Sequence, residues 1–222
     1  MSFLFHWIFP FFPLAIETFS SFVNVLAVLS ILYASFSALQ QLDVKRIVAY
    51  SSVAHMAYVL IGLFSFTVEG FTGAIFSMLT HGFIASGLFL SIGILYDRYG
   101  TRSLIYYGGL NLLMPIFDSF VFIFFLANMA MPGTAGFPGE FLILLGVFKN
   151  TPFISLFLFT GVFFTGVYTI WTYARLMLGQ INESFVIKYS DLTVREIGIL
   201  MSLTVFVFGL GLFPSFILRS IS

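Results

Sequence analysis

Residues 131–141 read MPGTAGFPGEF, and they join two apolar stretches at 116–131 and 136–148. Pro132 and Pro138 each remove a backbone donor, and Gly133, Gly136 and Gly139 add conformational freedom, so regular helix cannot run through the segment without freeing polar backbone groups. A helix needs about 20 mostly apolar residues to cross the hydrocarbon of a bilayer. Neither flanking stretch is that long, which predicts a helix break buried in protein within the membrane. Glu140 follows the break directly, where a carboxylate can face unpaired backbone donors and the positive end of the half-helix that begins there.

Working outward, five full-length apolar spans are predicted at 19–39, 47–66, 71–96, 151–177 and 197–214, so that with the two short segments the chain is an all-α membrane protein of about seven transmembrane helices. The composition agrees: of 222 residues 60% are hydrophobic and 8% charged, and the mean hydropathy of +1.08 lies far outside the range of soluble domains. Residues 1–18, with Trp7, Pro10 and Pro13, read as an aromatic interfacial segment and lack the basic start of a secretory signal. Residues 19–217 form the bundle, as a single domain, and 218–222 a short tail. The two longer loops, 97–115 and 179–196, are too small for a soluble domain. Nine basic residues balance nine acidic ones, which leaves no charged field for nucleic acid. Lysine and arginine are too evenly split between the two sides to set orientation. There is no cysteine, which excludes disulfides, thiolate metal sites and thiol catalysis. No P-loop, dinucleotide fingerprint, metal-ligand spacing or nucleophile constellation is present.

An ionisable side chain at the bilayer centre costs about 2.5–3.5 kcal/mol on insertion scales. Lys45, His55, His81 and Glu140 are the four that ask for a reason. On a helix, Lys45, Ser52 and His55 fall within about one quarter of the circumference, with Ser51 extending the stripe. Ser77, Thr80, His81 and Ser91 likewise share a face of the third span, which predicts a polar seam toward the bundle interior. Lys45 reads either as a proton-storing group with a movable pKa or as a lysine snorkelling from a helix end with Arg46 and Asp43. The histidines read as proton relays or as simple interhelical hydrogen bonds, and Glu140 as a transport carboxylate or a helix cap. Asp118 and Arg175, near span ends, are not assigned to chemistry.

Three blocks, LQQLDVKRIVAYSSVAHMAYVLIGLFS at 39–65, FSMLTHGFIASGLFLSIGILYDRYGTR at 76–102 and LANMAMPGTAGFPGEFLILLG at 126–146, resemble the subunit 4 family of mitochondrial complex I. DLTVREIGIL at 191–200 extends the similarity, which runs from about residue 19 to the C-terminus. Bacterial equivalents and Mrp-type antiporter subunits share the broader pattern. The resemblance implies a fourteen-helix antiporter-like fold of two inverted repeats, with this chain similar to helices eight to fourteen and one helix broken. It matches Lys45 to the family's central membrane lysine, His55 and His81 to its hydrophilic axis, and Glu140 to the carboxylate of the broken helix.

The family's glutamate on helix five and lysine on helix seven would lie before Met1, so the resemblance also implies a split subunit whose N-terminal helices come from a separate chain bound near residues 1–19. The expected function is that of a proton-translocating membrane-arm subunit of NADH:ubiquinone oxidoreductase, multi-pass in the mitochondrial inner membrane among lipids and other complex I subunits. No redox chemistry and no cofactor are expected in the chain itself, with NAD, FMN, iron–sulfur clusters and ubiquinone in other subunits. Lys45 would store a proton near mid-membrane, His81 and His55 relay it, and Glu140 pass it on. A Mrp-type cation/proton antiporter subunit and a purely structural membrane subunit are the competing readings.

Overall fold

A computed structural model describes residues 13–180 and 190–221. The elements are α1 (Pro13–Gln40), α2 (Val44–Leu63), α3 (Val68–Tyr99), a 3-10 turn (Leu104–Tyr106), α4 (Leu110–Leu113), α5 (Pro115–Asn128), α6 (Gly136–Asn150), α7 (Pro152–Met177), α8 (Val194–Leu212) and α9 (Ser215–Ile221). Helices α1, α2, α3, α7 and α8 are long and apolar enough to cross a membrane. At a rise of 1.5 Å per residue α5 and α6 reach only about 21–23 Å, less than the ~30 Å of hydrocarbon. The seven expected apolar segments are therefore five full helices and two half-length ones.

Local chemistry sets the helix starts. The Asp43 side chain accepts the Lys45 amide at 2.9 Å and starts α2 there, and Thr67 accepts the Gly70 amide at 3.1 Å to start α3. Thr193 and Glu196 form a reciprocal capping box on α8. Proline opens α5 and α7, where its missing N–H costs nothing. The break between α5 and α6 lies where the sequence places it, with Ala130 at φ 53° and Gly133 at φ 95°. Thr134 and Ala135 are buried there, while Met131 is exposed. Helix α1 already runs from Pro13, into the segment expected to be interfacial, whose first twelve residues lie outside the described part. Helix α9 occupies most of the expected tail.

The main core joins α2, α3, α5, α7 and α8 through residues such as Ile47, Leu88, Phe124, Tyr168 and Leu200. A smaller core of Ile31, Tyr58, Ile143 and Leu158 joins α1, α2, α6 and α7. Helices α3 and α6 approach so closely that a Cβ on Gly146 would meet the Gly70 amide at 2.4 Å. Small residues are what let membrane helices pack this near. Glu69 pairs with Lys149, and the Asn150 side chain donates to the Ser65 carbonyl at 2.9 Å, fixing the two helices at one end.

At another end of the bundle, the Arg98 guanidinium donates to Glu196 at 2.6 Å and to the Ser190 carbonyl at 2.5 Å. Asp191 accepts the first free amides of α5, from Ile116 at 3.0 Å and Phe117 at 3.2 Å. The turn before α2 is tied to the strand-like segment after α3 by backbone bonds from Val44 to Arg102 and from Leu104 to Leu42.

Candidate functional site

His55 is the twelfth residue of the twenty in α2 and His81 the fourteenth of the thirty-two in α3, so both sit near the middle of their helices. Glu140 is brought beside them because α6 begins at the break, at about the same depth, and packs against α3. A Cβ on Gly139 would fall 2.3 Å from Ser77 Oγ; with glycine there the two helices close and the neighbouring Glu140 turns to α2.

His55 Nδ1 lies 2.8 Å from Glu140 Oε1, and the two side chains are only 9% and 12% exposed. With the carboxylate ionised, the Nδ1–H donates. That leaves His55 Nε2 buried and without a hydrogen-bond partner. His81 Nε2 lies 2.9 Å from Ser52 Oγ, and the two imidazole rings are 5.3 Å apart between centroids. The predicted stripes on α2 and α3 thus face each other through Ser52 and His81 and through the paired imidazoles, while His55 reaches across to Glu140 on α6.

A cavity of about 20 Å³ opens among His55, Ser77, Thr80, His81, Asn128 and Glu140, enough for a single water. Ser77 Oγ is a second buried atom on its wall without a partner. Tyr58, also on the wall, donates its hydroxyl to the Leu158 carbonyl at 2.7 Å and locks α2 to α7. Among the described residues no group of three or more His, Cys, Asp or Glu is placed to hold a metal ion.

Lys45 stands apart. It was expected near mid-membrane, yet it is the second residue of α2, exposed in this chain, with its own amide on the capping Asp43. Ten residues of helix put it about 15 Å along the axis from His55. Its neighbours are Phe89, Ile92, Gly93, Tyr96 and Arg102. The expected span begins only at 47, and the mid-membrane placement of Lys45 comes from the match to the family's central lysine; the Asp43 cap instead holds Lys45 in the first turn of α2.

One polar stripe was not anticipated. Thr165, Tyr168, Thr169 and Thr172 on α7 are all buried and recur at i, i+3, i+4 and i+7, the spacing of one helix face. That periodicity is visible in the sequence and passes unnoticed only because threonine is not ionisable. Asp118, left without a role, accepts a bond from Tyr173 at 2.8 Å, and Arg175 lies over the Trp171 ring at 5.1 Å.

A bundle of membrane helices with a broken one, and a histidine–carboxylate pair beside a small polar cavity, has the arrangement of an antiporter-like half-bundle. The family model described as NADH:quinone oxidoreductase/Mrp antiporter, TM, matches residues 2–165, and the chain belongs to that family. NADH-ubiquinone oxidoreductase chain 4 of Marchantia polymorpha is 44% identical over 210 residues, covering 95% of this chain and 42% of the relative. NADH-quinone oxidoreductase subunit M of Rhodobacter capsulatus is 44% identical over 208 residues, covering 94% and 41%. The chain therefore spans less than half the length of these relatives.

Among solved structures, respiratory complex I from Thermus thermophilus with bound NADH contains a chain that superposes with a TM-score of 0.94 at 30% identity, covering 99% of this chain and 46% of that one. The Mrp complex from Dietzia sp. gives a TM-score of 0.82 at 18% identity, covering 92% and 46%, which speaks for the fold alone.

Proposed function

We propose that this chain is a proton-translocating part of the membrane arm of a respiratory NADH:quinone oxidoreductase. The hydrogen bond from His55 to Glu140 beside a small polar cavity is the observation that carries the reading. An imidazole can take a proton on one nitrogen and release another from the opposite one. A proton arriving at His55 Nε2 makes the imidazolium, and loss of the Nδ1 proton to Glu140 restores the neutral ring, so one proton crosses it per event. His81, held by Ser52, stands next in line. Burial keeps competing water out and makes the proton affinity of each group sensitive to charge nearby.

Lys45 enters this reading as a separate cation at the start of α2, which takes a proton-storing role only if another chain covers it. The names of the relatives support the rest of the proposal: the chain works within a larger complex, it corresponds to helices eight to fourteen of the family fold, and NAD, FMN, iron–sulfur clusters and quinone sit in other subunits of that complex. The mitochondrial inner membrane is the proposed site, with the chain 4 relative in its favour.

The test is Glu140→Gln in the assembled complex reconstituted in liposomes. We expect NADH oxidation to persist in its redox arm with protons moved per electron reduced or abolished; an unchanged ratio would refute the role. Migration of the chain with NADH dehydrogenase activity in a native gel separates this reading from that of an ion-gradient-driven antiporter.

A further inference from the structure

Tyr168 has no place in the relay described so far. It is 1% exposed, packed in the main core, and its hydroxyl has no hydrogen-bond partner. The other members of its stripe have spent their hydroxyls on their own helix: Thr165 on the Gly161 carbonyl at 3.0 Å, Thr169 on Thr165 at 2.7 Å and Thr172 on Tyr168 at 2.7 Å. Tyr168 alone carries its donor away from the helix backbone. Around it stand Thr165, Ser51 and Asn128, with Glu140 close enough to interact electrostatically. None of them makes a bond of normal geometry with the hydroxyl.

Asn128 and Ser51 tie this spot to the relay. Asn128 ends α5 at the helix break and also lines the His55–Glu140 cavity. Ser51 lies one turn before His55 on the same face of α2, buried, its hydroxyl on the Val48 carbonyl at 2.8 Å. Burying a hydroxyl without a partner is unfavourable, and phenylalanine would fill the same volume without that cost. Thirty-two phenylalanines occur elsewhere in the chain, so an aromatic filler was available. The hydroxyl is therefore one that packing alone does not require.

We propose that the Tyr168 hydroxyl is a relay group that extends the proton path from the Glu140 cavity, past Asn128, to the polar face of α7. A phenol both donates and accepts, so it takes a proton on its lone pair and gives up its own without a net change of charge in the core. The inference rests on the proposed proton transfer at His55 and Glu140 and adds a branch to it.

Tyr168→Phe in the complete complex, compared with Glu140→Gln in the same liposome assay, tests it. Relay predicts that the phenylalanine variant assembles and that its proton-coupled turnover falls about tenfold or more, with an altered solvent deuterium isotope effect. Wild-type turnover, stoichiometry and isotope effect in Tyr168→Phe, with Glu140→Gln impaired, overturn the Tyr168 branch and leave the main reading standing. Wild-type behaviour in both overturns the two together. Should Tyr168→Phe fail to assemble, Ser51→Ala is read by the same isotope effect, and an unaltered value there counts against the branch.

Discussion

Gly139 on α6 and Ser77 on α3 are in such close register that a Cβ on the glycine would lie 2.3 Å from the serine oxygen, 3.0 Å from its amide nitrogen and 3.1 Å from its Cα. The contact lies one residue from Glu140 and one helical turn from His81, so helix spacing and site geometry are the same variable. Gly139→Ala is expected to destabilise the helix pair by about 1–3 kcal/mol through overpacking and to weaken the His55–Glu140 contact. Thermal unfolding of the detergent-solubilised complex checks it. Ser77→Gly on that background recovers only part of the loss, because the backbone clashes remain; full recovery would show that the side chain alone sets the spacing.

His55 and Glu140 act as one unit if the 2.8 Å contact holds in the assembled complex. His55→Gln and Glu140→Gln should then be non-additive, with a coupling of about 0.5–3 kcal/mol in a double-mutant cycle read from unfolding temperatures. Simple addition of the two single effects would mean the groups do not meet.

Ser52→Ala removes the hydroxyl facing His81 Nε2. A net loss of about 0.5–1.5 kcal/mol is expected for one such hydrogen bond, with pumping lowered less than by Glu140→Gln, since the carboxylate and His55 are untouched. The comparison of protons per electron in the two variants decides the ranking.

Lys45→Gln should be milder than Glu140→Gln in the same assay. The lysine sits on the first turn of α2, about 15 Å along the helix from His55, and direct proton hand-over cannot span that. Equal losses in the two variants would require a chain of polar groups from elsewhere to bridge them, and the separation argued from this chain would no longer hold.

The parts of this structure that were legible in the sequence are those in which one residue type forces a backbone outcome or a burial cost. Pro132, Pro138 and their glycines forbid continuous helix, so the break was read to within a few residues. His55 and His81 are expensive in lipid, and with Ser52 and Ser77 on known helix faces the seam between α2 and α3 followed. What pairs with what was not legible, because Ser52 meeting His81 on α3 and His55 meeting Glu140 on α6 depend on axial offsets between helices. Those offsets are set by contacts such as Gly139 on Ser77, which no single helix records. The place of Lys45 was not legible from the family match that set it at mid-membrane, whereas the local signal, Asp43 as an N-cap two residues earlier, puts it in the first turn of α2. The α7 stripe was overlooked since threonines that bond their own helix carry little hydropathic signal, and the one unusual member, Tyr168, resembles a core aromatic.

The way Asp191 closes the start of α5 bears on how the chain is made. The amides of Ile116 and Phe117 receive their acceptor from a residue about seventy-five positions later, so the segment leaves the ribosome with that end open and is too short to anchor itself across the bilayer. Until translation reaches Asp191, water is the acceptor for those amides, at an end of α5 that is exposed at Ile116. A chain cut short before Asp191 would keep the α5 sequence but lose the acceptor that the protein itself supplies to its first amides.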